Sequence, residues 1–261
     1  WESGYDNSSL WDEPMKKVKI EKNIQYKRGD NKVINPEHRP LNIDYDRYVT
    51  IKNYLKKKKY NPKKIFKTSL FNVVDIGFNS IFLKSNKDLI TLLKKFNLDS
   101  STIINYIKIT EKNILKYFDK KKENFFCFDL RNKKKIFIPS ITNYLILYAD
   151  IKNSKINDIL IKNLKKHNLK EKYFFSSIKT NHKSFEEKRY WRGPVWINSN
   201  WIIYQGLLNK DKDFAELIKN KTLDLLEKRK FYEYYNCNTG ECLGANNFSW
   251  SAALYLDLKF S

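Results

Sequence analysis

Apolar and aromatic side chains recur along this chain in blocks with helical spacing. From Asp44 to about Lys58 they fall at Tyr45, Tyr48, Val49, Tyr54 and Leu55, and from Asp75 to Phe96 at Ile76, Phe78, Ile81, Phe82, Leu89, Leu92 and Leu93. That period of about 3.6 residues predicts two amphipathic helices. Asp99, Ser100 or Ser101 is placed to cap a third helix running to Phe118. The pattern returns from Ile141 to Tyr148, Ile156 to Leu164, Val195 to Leu208 behind Pro194, Asp211 to Leu226, and Phe248 to Leu256. Roughly eight helices in one domain predict an all-α array of helical hairpins. Phe125-Phe126-Cys127-Phe128 and Ile136-Phe137-Ile138, separated by a polar stretch, predict a small β-hairpin insertion. Residues 1 to 43 show no sustained period and carry Pro14, Gly29, Pro36 and Pro40. They read as a long irregular segment, of the kind that usually has a function.

Composition narrows the class. With 261 residues, 41% of them hydrophobic and 15% aromatic, the chain has ample material for a core. A formal net charge of +22 raises nucleic acid or an anionic membrane as partners. Only seven of the 51 basic residues are Arg, however, the side chain that phosphate and base recognition favour. Lys, Asn and Ile are abundant together and have AT-rich codons, so the charge is assigned to genome composition and no nucleic-acid partner is expected. The runs Lys56 to Lys59 and Lys120 to Lys122 lie beside predicted helix ends or turns and read as solvated surface. Three cysteines, Cys127, Cys237 and Cys242, lack zinc-type spacing, and neither a signal peptide nor an apolar run of about 18 residues is visible. A cytoplasmic protein without membrane contact is the expectation. The chain lacks an initiating Met and opens inside a motif, so its true N-terminus, with any targeting signal, is expected upstream.

Candidate chemistry sits near the two ends. Asp6 lies in Gly4-Tyr5-Asp6-Asn7-Ser8-Ser9-Leu10-Trp11, with Trp1 close by, and Glu233 lies in Tyr232-Glu233-Tyr234-Tyr235-Asn236. An aromatic rim holds the apolar face of a sugar ring and dries a carboxylate, raising its pKa toward that of a general acid. Two carboxylates on opposite sides of a sugar are the minimum equipment for glycoside hydrolysis. Taken singly, Asp6 also fits a helix cap or Asx turn, Glu233 also fits a surface charge beside Lys228-Arg229-Lys230, and Glu241 is an equal rival for the second carboxylate. The densest aromatic segment runs from Tyr190 through Trp191, Arg192, Gly193, Pro194 and Trp196 to Trp201. Pro194 at a helix start leaves Tyr190, Trp191 and Arg192 on the preceding loop, where they are expected to line a cleft, with Trp201 in the core. His38, His167 and His182 are scattered, no Gly-rich phosphate loop is present, and no Ser stands in a Gly-x-Ser-x-Gly elbow. No metal or cofactor is expected.

Together, Trp1-Glu2-Ser3-Gly4-Tyr5-Asp6-Asn7-Ser8, Tyr190-Trp191-Arg192-Gly193-Pro194-Val195-Trp196, Glu233-Tyr234-Tyr235-Asn236-Cys237-Asn238-Thr239-Gly240 and Phe248-Ser249-Trp250-Ser251-Ala252-Ala253 resemble the motif set of glycoside hydrolase family 63. Asp44-Tyr45-Asp46-Arg47-Tyr48-Val49 and Phe71-Asn72-Val73-Val74-Asp75-Ile76-Gly77-Phe78-Asn79 point to its branch acting on mannosylglycerate and glucosylglycerate. The resemblance spans the whole chain. It implies an (α/α)6 barrel and an inverting α-glycosidase acting on a small carbohydrate, with Asp6 matching the general acid and Glu233 the general base. Trp1, Gly4, Tyr190, Trp191 and Trp196 match positions around the sugar, and Arg39, in His38-Arg39-Pro40, matches a substrate-contacting Arg. A trehalase-like or oligosaccharide α-glucosidase of the same barrel type is the alternative within the class, and a non-catalytic carbohydrate-binding fragment the alternative outside it. The sequence departs from the pattern in having fewer helices than a full barrel, the acid at residue six, Ser9 where Pro is usual, and Cys237 where Pro often stands. The expected domain is therefore incomplete at its N-terminus, its remaining wall supplied in cis or by a homo-oligomer.

Overall fold

The computed structural model describes residues 3–168 and 171–261. Helices dominate. Among the described residues they are α1 (Asp12–Lys16), α2 (Asn42–Lys57), α3 (Pro62–Thr68), α4 (Ile76–Lys95), α5 (Ser101–Ile114), α6 (Ser154–Asn168), α7 (Ile197–Leu207), α8 (Lys212–Arg229) and α9 (Ser249–Phe260). None of the described helices is long and apolar enough to cross a membrane.

Local chemistry accounts for most of these boundaries. The Asp75 side chain accepts the Phe78 N–H and starts α4, and Asp211 does the same for α8 through the Phe214 N–H. Asn61 accepts the Lys64 N–H ahead of Pro62, which opens α3, a helix absent from the periodicity reading although the Asn-Pro start signal is in the sequence. The expected helix at 141–148 is a 3-10 helix, Ile141–Leu147, with all seven residues buried. Burial on every side leaves it no polar face, so a helical amphipathic period is the wrong template.

The expected hairpin forms, with the Ile136 N–H donating to the Cys127 carbonyl, as part of a larger arrangement. Strands β2 (Phe118–Asp119) and β3 (Asn124–Phe125) form one short ladder, while β4 (Phe128–Asp129) pairs with both β5 (Lys134–Lys135) and β1 (Val73–Val74). Phe125, Phe126 and Cys127 are buried, which makes this region part of the core rather than an insertion on it. The run Lys120 to Lys122 is exposed in the β2–β3 turn, and Lys56 and Lys57 end α2.

One large apolar cluster joins Ile76, Leu83, Leu145, Ile146, Leu160, Trp191, Trp196, Ile203 and Tyr234. Each fully buried Leu or Ile contributes roughly 1.5–3 kcal/mol relative to exposure. A smaller cluster, Tyr173, Val195, Ile197, Leu225, Leu226, Tyr235 and Cys237, lies beneath the last strand pair, β6 (Tyr234–Tyr235) and β7 (Cys242–Leu243). Successive residues Tyr234 and Tyr235 thus point into different clusters, as alternation along a strand requires. Val195 bridges to both Ser176 and Tyr235, so the aromatic segment before α7 is tied directly to β6.

Candidate active site

Asp6 stands on a turn fixed from several directions. The Ser8 N–H donates to the Tyr5 carbonyl, and the Trp11 indole Nε1–H donates to the same oxygen at 2.8 Å. Asn7, with φ 60°, is in the left-handed region that Asn tolerates. Its N–H donates to the Tyr48 hydroxyl at 2.8 Å and its Nδ2 to Asp44 Oδ2 at 2.8 Å, which roots the turn on α2. Asp44 Oδ2 also accepts the Leu41 N–H at 3.0 Å, so one carboxylate starts α2 and holds the residue beside Asp6. Gly4 is exposed at φ +72°, a conformation that delivers the chain into this turn. Trp1 lies outside the described residues.

Glu233 is held by a different device. Its N–H donates to the Ala245 carbonyl, and the Ala245 N–H donates to Glu233 Oε2 at 3.1 Å, extending the β6–β7 pairing by one residue. The turn between those strands is set by Asn236, whose Oδ1 accepts from Asn238 and Thr239 N–H, and by Gly240 at φ +70°. Gly244 is the tightest point: a Cβ there would stand 2.6 Å from Glu233 Oε2, at φ +72°. Arg39 Nη1 donates to both Glu233 oxygens at 3.1 Å. Burial disfavours the guanidinium charge, but Glu233, Tyr190 and Tyr234 outweigh it and drive the Arg39 pKa upward.

A row of four rings links the residues that adjoin Asp6 and Glu233 in sequence. Tyr5 meets Trp191 edge-on at 4.7 Å, Trp191 lies parallel to Trp196 at 4.0 Å, and Trp196 stacks on Tyr234 at 4.7 Å. Asp6 follows the first ring in sequence and Glu233 precedes the last. Tyr190, with φ 38°, an unusual value for a bulky residue, packs edge-on against Trp196 and Tyr234. Its ring also carries the Arg39 guanidinium at 4.5 Å. The Tyr190 phenol is pushed well above its usual pKa, by burial first and then by the charges of Glu233 and Asp6, with Arg39 opposing. One tyrosine therefore feels both carboxylates.

Two residues of this segment sit away from open space. Trp191 is only 2% exposed, stacked on Trp196 and T-shaped against Tyr5. Arg192 is engaged by Asp12 (2.8 and 3.0 Å) and Glu186 (2.6 Å), locking α1 to the aromatic loop instead of facing a ligand. Trp201 is partly buried and donates its indole N–H to Asp257 at 2.5 Å. Glu241, the rival second acid, is exposed and paired with Lys188 at 3.0 Å. Gly244, Asp44 and Tyr48 escape a reading of the sequence because their roles depend on approach across the fold.

On its other side Asp6 borders a cavity of about 750 Å³ whose wall includes Tyr48, Leu55, Phe66, Phe71, Asp75 and Phe78. Among the described residues no group of three or more His, Cys, Asp or Glu is arranged to hold a metal ion.

Comparison with known proteins points to one family. The family model for the mannosylglycerate hydrolase MGH1-like glycoside hydrolase domain matches residues 1–251. A mannosylglycerate hydrolase from Thermus thermophilus is 37% identical over 259 residues, covering 98% of this chain and 62% of the relative. A glucosylglycerate hydrolase from Mycolicibacterium hassiacum is 27% identical, covering 98% of this chain and 60% of the relative. A crystal structure of GH63 mannosylglycerate hydrolase from Thermus thermophilus in complex with Tris superposes with a TM-score of 0.95 at 35% identity, over 99% of this chain and 62% of that one. The fold is thus of the (α/α)6 barrel type, and the chain spans about three-fifths of the length of these relatives. By motif, arrangement and extent of match, this chain belongs to the MGH1-like glycoside hydrolase family.

Proposed function

We propose that the chain carries the acid and base of an inverting α-glycosidase that hydrolyses a small α-mannoside or α-glucoside of glycerate. Asp6 protonates the glycosidic oxygen as the bond breaks, and Glu233 takes a proton from a water attacking the opposite face of the sugar. The observation that supports this reading is the common frame: Tyr5 and Tyr234, the neighbours of Asp6 and Glu233 in sequence, are the end rings of one aromatic row, and Tyr190 is under the influence of both acids. Among the described residues, Oε2 of Glu233 accepts from Arg39 and from the Ala245 N–H, whereas Oε1 accepts from Arg39. With one donor where Oε2 has two, Oε1 is the oxygen assigned to the water. Arg39, a buried cation beside the base, also suits the carboxylate of a glycerate aglycone. The names of the relatives support that choice, and one neighbouring structure was solved with Tris and D-glycerate. The reading includes a barrel completed by further polypeptide, in cis or from a second copy, and a working place in the cytoplasm.

The test is a turnover assay with mannosylglycerate, glucosylglycerate, trehalose and short α-glucans, repeated with Glu233→Gln. Turnover of a glycerate glycoside that falls about 10²–10⁴-fold in the variant supports the proposal. Binding without turnover, equal in both proteins, makes the chain a carbohydrate-binding module instead.

A further inference from the structure

The Arg39–Glu233 pair is one end of a longer row of charges. Arg28 grips Asp30 with two bonds, Nη2 to Oδ2 at 2.6 Å and Nε to Oδ1 at 3.1 Å. Asp30 Oδ2 in turn takes the Nε edge of Arg39 at 3.4 Å and the Tyr45 hydroxyl from α2 at 3.1 Å. Arg39 then presents Nη1 to both oxygens of Glu233. The order is plus, minus, plus, minus, and the four side chains are 8–13% exposed. Two aromatic faces hold the cations in plane: Arg28 lies 3.9 Å over Tyr45 and Arg39 4.5 Å over Tyr190.

An isolated buried Arg 3.1 Å from a carboxylate favours the ionised carboxylate so strongly that the group becomes a poor proton acceptor. The opposite charge of Asp30, drawn from the same guanidinium, works against that. It also occupies the Nε edge, so the guanidinium fork has one orientation in which Nη1 meets Glu233. We infer that Asp30 is a positioning residue for the base, fixing Arg39 against Glu233 and offsetting part of the guanidinium charge that faces that carboxylate. This inference rests on the function proposed above for Glu233. Burial works against the Asp30 charge, but the Arg28 bonds, Tyr45 and Arg39 bring its pKa down to about 2, so it remains charged wherever the enzyme works. The other titratable groups facing the row are Tyr26, His38, Tyr45, Tyr190, Tyr234 and, beyond Tyr190, Asp6.

The test is Asp30→Asn, which keeps an acceptor for Tyr45 and Arg39 but removes the charge. With the wild-type protein as control, the acid limb of the kcat profile should move to lower pH and the plateau should fall about tenfold, with KM changing less. In parallel, arginine side-chain NMR of the whole chain, with the Arg39 Nε–H signal assigned through Arg39→Lys, reads the network without turnover. That signal should shift in Asp30→Asn and again in Glu233→Gln. An Nε–H signal unchanged in Asp30→Asn, or an acid limb that stays at the wild-type pH while only thermal stability drops, overturns the inference. A wild-type protein without Glu233-dependent turnover, but with the NMR coupling intact, would instead contradict the proposed function and leave the charge row standing.

Discussion

Glu233 owes its place to a residue with no side chain. Adding a Cβ at Gly244 would force it within 2.6 Å of Glu233 Oε2 and 2.7 Å of the Tyr234 ring, on a backbone that L-residues rarely adopt. Gly244→Ala should therefore displace the carboxylate by a few tenths of an ångström or more. We expect a drop of about ten- to a hundredfold in kcat with the helical circular dichroism spectrum retained, measured against wild type on the preferred glycerate glycoside. The residue scale is also where the sequence is most informative. Asp6 and Glu233 stand out by their aromatic flanks, and the order of motifs separates Glu233 from Glu241. The partners Asp30, Asp44, Tyr48 and Gly244 give no such signal. Each reaches the site across a turn or from a distant part of the chain, and separation along the chain carries no trace of contact across the fold.

At the scale of elements, α4 shows what periodicity does and does not reveal. Its apolar positions fall on two faces, and the structure buries the one bearing Ile76, Ser80 and Leu83. Phe78, Phe82, Leu92 and Phe96, which share the same helical pattern in the sequence, are 44–67% exposed. Hydrophobicity says which residues seek cover; only packing decides which receive it. Leu83→Ala should cost about 2–5 kcal/mol in denaturant unfolding, because it empties a fully buried site, whereas Phe82→Ser should stay within about 0.5 kcal/mol. Equal losses at the two positions would mean that the outer face of α4 is also packed. The β6–β7 hairpin is legible in principle. A Tyr-Tyr pair ahead of an Asn-Cys-Asn-Thr-Gly turn, with Cys-Leu after it, is a hairpin signal, but two-residue strands are too short for an alternation pattern to register. The irregular character of residues 3–41, by contrast, is plain in the sequence, apart from short α1 and three short 3-10 helices, because Pro and Gly break helical spacing whatever the tertiary context.

For the molecule as a whole, one buried carboxylate gives stability a pH dependence. Asp75 is 6% exposed, and Oδ2 has no hydrogen-bond partner among the described residues. Burial pushes its pKa up to about 6, against the pull of the Phe78 and Gly77 N–H groups. An unfolded Asp titrates near 3.9, so between about pH 4 and pH 6 the folded chain binds the extra proton and stability falls as pH rises. The loss from this group is on the order of 2–3 kcal/mol and is complete above about pH 6. Asp75→Asn, which keeps the cap on α4, should remove that slope and raise the melting temperature at pH 7; an unchanged slope would show that Asp75 is not its source. The same whole-molecule view sets the central question, since the frame joining Asp6 to Glu233 has meaning only if both act on one sugar. The direct measurement is proton NMR of mannosylglycerate hydrolysis, followed from the first turnovers before mutarotation. Initial release of the β-anomer of mannose, lost in Glu233→Gln and in Asp6→Asn, is the result predicted. Initial release of the α-anomer, or turnover that survives either substitution, would contradict it.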